Sequence, residues 1–95
     1  MEYFICKWHH NFQDEPIEIF TEIDHYRNEL RKIEIFRDGS FDFASSVFPV
    51  NPKTALSSEP VPPLDQIRKD KEFNILEIKK EDFEKKWNEL VHGII

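Results

Sequence analysis

The sequence predicts an α+β fold, an antiparallel sheet of four or five strands packed by one C-terminal helix and carrying a long proline-rich loop. Three observations lead there. Apolar residues alternate with period two through the first half of the chain, Asp38-Gly39 separates two strand-like runs, and KEDFEKKWNELVHGII near the end carries apolar residues at helical spacing.

The first strand is expected over Glu2 to Trp8, where Tyr3 and Ile5 alternate with Phe4, Cys6 and Trp8. Both faces are apolar, as in a strand covered on both sides. A polar loop, His9 to Glu15, follows, and Pro16 stands at the start of the second run, where a missing N–H harms a ladder least. In that run Ile17, Ile19 and Ile23 point one way and Glu18, Phe20 and Glu22 the other, so an acidic outer face is expected. DHYRN, residues 24–28, is a turn by composition, and the third strand spans Glu29 to Phe36.

The length of the Asp38-Gly39 turn follows from burial. A two-residue turn would set Ile35 against Asp42 and split the apolar set between two faces. A three-residue loop, Arg37-Asp38-Gly39, pairs Ile35 with Phe41 and Ile33 with Phe43 on one face. A slip of one residue reverses every side chain, so the longer loop is favoured, with Gly39 at the positive-φ position and Ser40 to Ala44 as the fourth strand. On the third strand Lys32 and Glu34 oppose Ile33 and Ile35 and are expected to pair with Glu18 and Glu22.

SSVFPVNPKTALSSEPVPP, residues 45–63, carries five of the six prolines and reads as extended loop, pinned by Val47, Phe48, Val50, Leu56 and Val61. Pro62 and Pro63 preset a short helix, Leu64 to Lys69. Phe73 to Ile78 reads as a fifth strand. Phe83, Trp87, Leu90, Val91 and Ile94 then mark a helix of about eleven residues, with acids leading and Gly93 following.

Ninety-five residues bound one domain, 1–95. Aromatics at 14% exclude a disordered chain. The lone Cys6 has no internal disulfide partner, no apolar run reaches the roughly 18 residues of a membrane span, and the start lacks a secretory pattern, all of which point to the cytoplasm. The formal charge is −6, and residues 1–26 set Glu2, Asp14, Glu15, Glu18, Glu22 and Asp24 against Lys7 alone. Such a surface repels free nucleic acid and steers basic proteins.

Trp8-x-His10, Asp14-Glu15-Pro16, Arg27-x-Glu29-x-Arg31-Lys32-x-Glu34 with Asp38-Gly39, Pro62-Pro63 with Ile67, Glu72-Phe73 and Phe83-Glu84-x-x-Trp87 run through nearly the whole chain. On these residues the sequence resembles a small uncharacterised bacterial single-domain family, a domain of unknown function. The resemblance implies a single-domain bacterial protein and brings no catalytic residue with it.

WHHNFQDE gathers His9, His10, Asp14 and Glu15 near Cys6, groups that metals use. Adjacent histidines leaving a strand point to opposite faces, so the metal reading of His10, Asp14 and Glu15 stands behind one in which one histidine bonds a carboxylate and the other is solvated. Asp14-Glu15 is also half of a possible acid/base pair, but Ser45-Ser46 and Ser57-Ser58 lie in loop sequence and two glycines leave no phosphate-cradling loop. Alternation puts Phe20 and Phe36 on the charged face, where either the C-terminal helix covers them or they stay open as hot spots. The expectation is a non-enzymatic, cofactor-free protein of the bacterial cytosol, an immunity or inhibitor protein that masks a basic toxin such as a nuclease through Asp14, Glu15, Glu18, Phe20, Glu22 and Asp24. The alternatives are a small enzyme or metal protein centred on His10, Asp14, Glu15 and Arg31, and a module that dimerises through an uncovered strand edge.

Overall fold

The computed structural model describes residues 1–46 and 54–92. Five strands, β1 (Glu2–Trp8), β2 (Glu18–Ile23), β3 (Glu29–Ile35), β4 (Phe41–Ser45) and β5 (Phe73–Ile78), form one sheet in the order β4-β3-β2-β1-β5, with every pairing antiparallel. The first four make a meander because each connection is short. The fifth returns on the far side of β1, which leaves β1 an interior strand, as its two apolar faces require. Among the described residues two helices join the sheet: α1 (Leu64–Ile67), and α2 (Lys80–Trp87) continued by a π-helical segment, Asn88–His92.

The hairpin takes the register that burial demands. Ile35 faces Phe41 and Ile33 faces Phe43, while Phe36 N–H donates to Ser40 C=O at 2.8 Å and Gly39 stands at φ +88°. Asp38 Oδ1 accepts from both the backbone and the hydroxyl of Ser40, which holds the carboxyl below the usual carboxylate range. β4 ends at Ser45, so Ser45 belongs to the sheet and not to the loop.

Two cores cover the two faces. Tyr3, Phe20, Ile33 and Phe43 meet Phe83, Trp87 and Val91 of the C-terminal helix on one face. Phe4, Cys6, Ile23 and Leu64 pack on the other, beneath α1 and Val61. Fully burying a side chain the size of Phe83 contributes about 2–3 kcal/mol, so the helix is held by its apolar stripe. Asp82 accepts the Lys79 N–H at 3.2 Å and starts α2. The regular α geometry stops at Trp87, shorter than the expected eleven residues, and the π turn carries the chain on so that Val91 still reaches the core. Val47, Phe48, Val50, Gly93 and Ile94 lie outside the described residues.

The charged face of β2 is not an outer face. Glu22 pairs with Arg31 and Phe20 with Ile33, so both share the side that the helix covers; Phe20 is 6% exposed and Glu22 7%. Lys32 and Glu34 fall on the opposite side, beside Thr21 and Ile19, and meet neither Glu18 nor Glu22 across the ladder. Alternation correctly separated the two sets, but it cannot say which set a helix will cover.

Candidate functional site

The loop between β1 and β2 is closed at its base and tied to its neighbours. Trp8 N–H donates to Ile17 C=O, Ile17 N–H to Ile35 C=O, and His9 N–H to Glu72 C=O, at 2.7–2.9 Å. His10 organises the interior of the loop: Nδ1 accepts the Phe12 N–H at 2.9 Å and Nε2 lies 2.7 Å from Pro16 C=O. That pair of bonds selects the neutral tautomer with the proton on Nε2. Its ring packs 4.2 Å from the Trp8 ring, and Phe12 and Phe73 extend the aromatic cluster. The Trp8 Nε1–H is buried without a hydrogen-bond partner among the described residues. His9 reaches Asn74 instead, so among the described residues the hydrogen bonds of the two histidine rings go to backbone and amide groups and not to the carboxylate expected of one of them.

Arg37, the first residue of the β3–β4 loop, donates from Nη2 to His10 C=O at 2.6 Å. It thereby forms a wall between two concavities. One, about 670 Å³, is lined by Lys7, Trp8, His9, His10, Ile17 and Glu18 on its other sides. The second, about 920 Å³, is lined by Asp14, Glu15, Glu34, Asp38 and Asp42, with Phe36 and Phe41 at its sides. Among the described residues, acids outnumber the one guanidinium of this hollow. Glu34 and Asp42 stand directly opposite each other across the β3–β4 ladder, an arrangement of like charges that costs stability where it occurs. Glu34 accepts from the Thr54 hydroxyl at 2.6 Å, and Asp42, 6% exposed, accepts from the Phe43 N–H.

The expected partner-binding residues are dispersed over the molecule. Asp14 and Glu15 are exposed on the rim of the acidic concavity, and Glu18 lines the other one. Asp24 sits at the far end of β2, where Oδ1 accepts the Tyr26 and Asn28 N–H groups and closes the β2–β3 turn. Phe20 and Glu22 are under the helix and cannot meet a partner from outside. Glu34, Asp38 and Asp42 are the acids that sequence reasoning did not assign to this surface. Their signal was present: pairing Ile35 with Phe41 and Ile33 with Phe43 necessarily sets Glu34 against Asp42.

Arg31 does not join His10, Asp14 and Glu15. It lies on the helix face, where Nε and Nη2 donate to the two carboxylate oxygens of Glu22 at 2.6 and 3.0 Å and Nη1 meets Glu84 at 2.7 Å. Its guanidinium also packs 4.8 Å from the Phe83 ring and 4.9 Å from the Trp87 ring. Burial pulls the Glu22 pKa upward, yet hydrogen bonds from Arg31 and Tyr3 and the Arg31 charge outweigh it and hold the carboxyl below its usual range. Burial lowers the Arg31 pKa less than Glu22 and Glu84 raise it. Burial, then the hydrogen bond to Glu22, pushes the Tyr3 hydroxyl up to about 12. This is a closed ion pair that joins helix to sheet, and its charges are spent within the molecule.

Both ring nitrogens of His10 are engaged in the loop, and among the described residues no three His, Cys, Asp or Glu side chains gather as a metal site. The metal and acid/base grouping drawn from the sequence is therefore not assembled. Among the described residues, no helix is long and apolar enough to cross a membrane.

What the geometry offers is a sheet end with an acidic hollow and a closed structural core. The chain belongs to the domain of unknown function DUF6881, matched over residues 2–92. No curated protein and no solved structure matches it. The match spans all five strands and α2 of this DUF6881 chain, so the family covers the fold together with both concavities.

Proposed function

We propose that this DUF6881 chain is a non-enzymatic binding protein of the bacterial cytosol, an immunity or inhibitor protein that masks a basic toxin, with a nuclease as the leading class. The observation that carries the reading is the hollow in which, among the described residues, the carboxylates of Asp14, Glu15, Glu34 and Asp38 stand with Arg37. A nuclease must present Lys and Arg to a phosphate backbone, and a concave set of carboxylates offers those cations an alternative partner. Field lines concentrate in a hollow walled by protein, which favours fast capture. Phe36 and Phe41, both half-buried, supply apolar contact beside the charges. On this reading Trp8-x-His10 shapes the loop that bears Asp14 and Glu15, and Phe83-Glu84-x-x-Trp87 clasps Arg31; both motifs serve the scaffold.

The test is co-expression with toxin domains encoded beside the protein. Rescue of growth is expected, together with binding that weakens as salt rises and falls by a factor on the order of ten to a hundred in Asp14→Lys/Glu15→Lys. Absence of rescue, or binding indifferent to that charge reversal and to salt, overturns the reading. Asp14 and Glu15 are exposed, so the double variant keeps its fold.

A further inference from the structure

The two edges of the sheet differ. Four of the five residues of β4 are buried, whereas none of the six residues of β5 is. The bond from His9 N–H to Glu72 C=O sets the hydrogen-bonding phase of β5: the amides of Asn74, Leu76 and Ile78 turn toward β1, and those of Phe73, Ile75 and Glu77 turn outward. Phe73 N–H is taken by Asp70 C=O. Ile75 and Glu77 therefore present open N–H and C=O groups along an edge, FNILEI, that carries one charge in six residues. Protein edges are ordinarily blunted by lysine, proline or a bulge, and this one has none of these. Above it, Leu76 is 58% exposed on the helix side, because α2 packs over β1 and β2 and, of β5, its cluster takes in Ile78.

We propose that β5 pairs antiparallel with β5 of a second copy of this chain, joining two five-stranded sheets into one. The two-fold axis stands perpendicular to the sheet, so opposed residues share a face and the register must be centred on a residue. Centring on Leu76 uses the open groups of Ile75 and Glu77: Ile75 N–H meets Glu77 C=O of the second copy and Glu77 N–H meets Ile75 C=O, each twice by symmetry. Leu76 then faces Leu76 of the second copy in a non-hydrogen-bonded pair, where side chains approach most closely. A register centred on Ile75 would instead set Asn74 against Leu76. The surface is independent of the acidic hollow on the β3–β4 side. It falls short of the roughly 800 Å² per partner of a standard interface, and association in the micromolar to millimolar range is expected.

Sedimentation equilibrium of the full chain from about 10 µM to about 1 mM tests this, the range being set by that expected affinity. A monomer–dimer equilibrium is expected, weakened at least tenfold by Leu76→Lys and by Glu77→Pro, an exposed position whose N–H turns outward. Because Leu76 is exposed, Leu76→Lys retains the native circular dichroism spectrum. A register test accompanies it: oxidised Leu76→Cys should yield a disulfide-linked dimer, whereas Asn74→Cys should not, since Asn74 faces Ile78 of the second copy. A monomer throughout the range, a dimer indifferent to both edge variants, or equal cross-linking of the two cysteine variants overturns the proposal.

Discussion

Glu22 is the residue at which local chemistry and stability are most tightly joined. A carboxylate 7% exposed, bonded bidentately to Arg31, is tolerable only while the partner remains, because an unpaired charge in that place retains its desolvation cost. Glu22→Gln is expected to destabilise the fold by about 2–4 kcal/mol at neutral pH in urea unfolding, Glu84 retaining part of the Arg31 charge. The folded pKa of Glu22 lies below its unfolded value, so the stabilisation is complete above about pH 4.3 and is lost as pH falls through the folded pKa. The gap between wild type and Glu22→Gln should accordingly shrink in acid below that pH; a constant gap would mean that the carboxylate charge is not what stabilises. Gly39 provides a simpler case. Nothing stands within 4 Å of a Cβ built there, so the cost of Gly39→Ala is the positive φ alone, about 1 kcal/mol by the same measurement.

Among the elements, the Val61–Pro62 end of the segment from Thr54 to Pro63 is held by one residue in another turn. Arg27 takes φ +68°, a conformation unfavourable for a side chain with a Cβ. It is compensated by a cluster of bonds: Nε to Val61 C=O at 2.7 Å, Nη2 to Pro62 C=O at 2.9 Å, Nη1 to Glu2 at 2.9 Å, and its own C=O to Val61 N–H at 2.7 Å. Further along, Glu29 accepts the Ser57 N–H and Glu34 the Thr54 hydroxyl. Arg27→Gly relieves the backbone but removes the fork, so global stability should change by no more than about 1 kcal/mol. Amide exchange at Val61 and cleavage of the Thr54–Pro63 segment by a protease should rise at least tenfold. An unchanged exchange rate at Val61 would place the anchoring in Leu64 and the apolar contacts of α1 instead.

The whole molecule is a sheet with a core on each side, and β1 supplies both: Tyr3 to the helix side, Phe4 and Cys6 to the other. Two cores that share a strand should open together. Burial pushes the Cys6 thiol up to about 11, and its sulfur is enclosed, so labelling by a thiol reagent at neutral pH should be on the order of a thousandfold slower than in the unfolded chain. Through a urea titration Cys6 reactivity and the fluorescence of Trp8 and Trp87 should change at one midpoint. Reactivity appearing at lower urea would show that the α1 side opens by itself.

Strand count, register and the Gly39 turn are written in the sequence, because they follow from period-two alternation and from the conformational freedom of particular residues, both of which are local. The acidic hollow was only half legible: Asp14 and Glu15 stand where the charge map put them, while Glu34 and Asp42 needed the pairing to be read across strands. What the tertiary structure alone decided is which face of β2 the C-terminal helix covers. That choice turned Glu22 and Phe20 from an expected docking surface into a buried clasp, and it separated Arg31 from His10. Alternation divides residues between two faces but treats them as equals, and only the packing of a distant helix, whose apolar stripe must find a matching surface, makes one of them the interior.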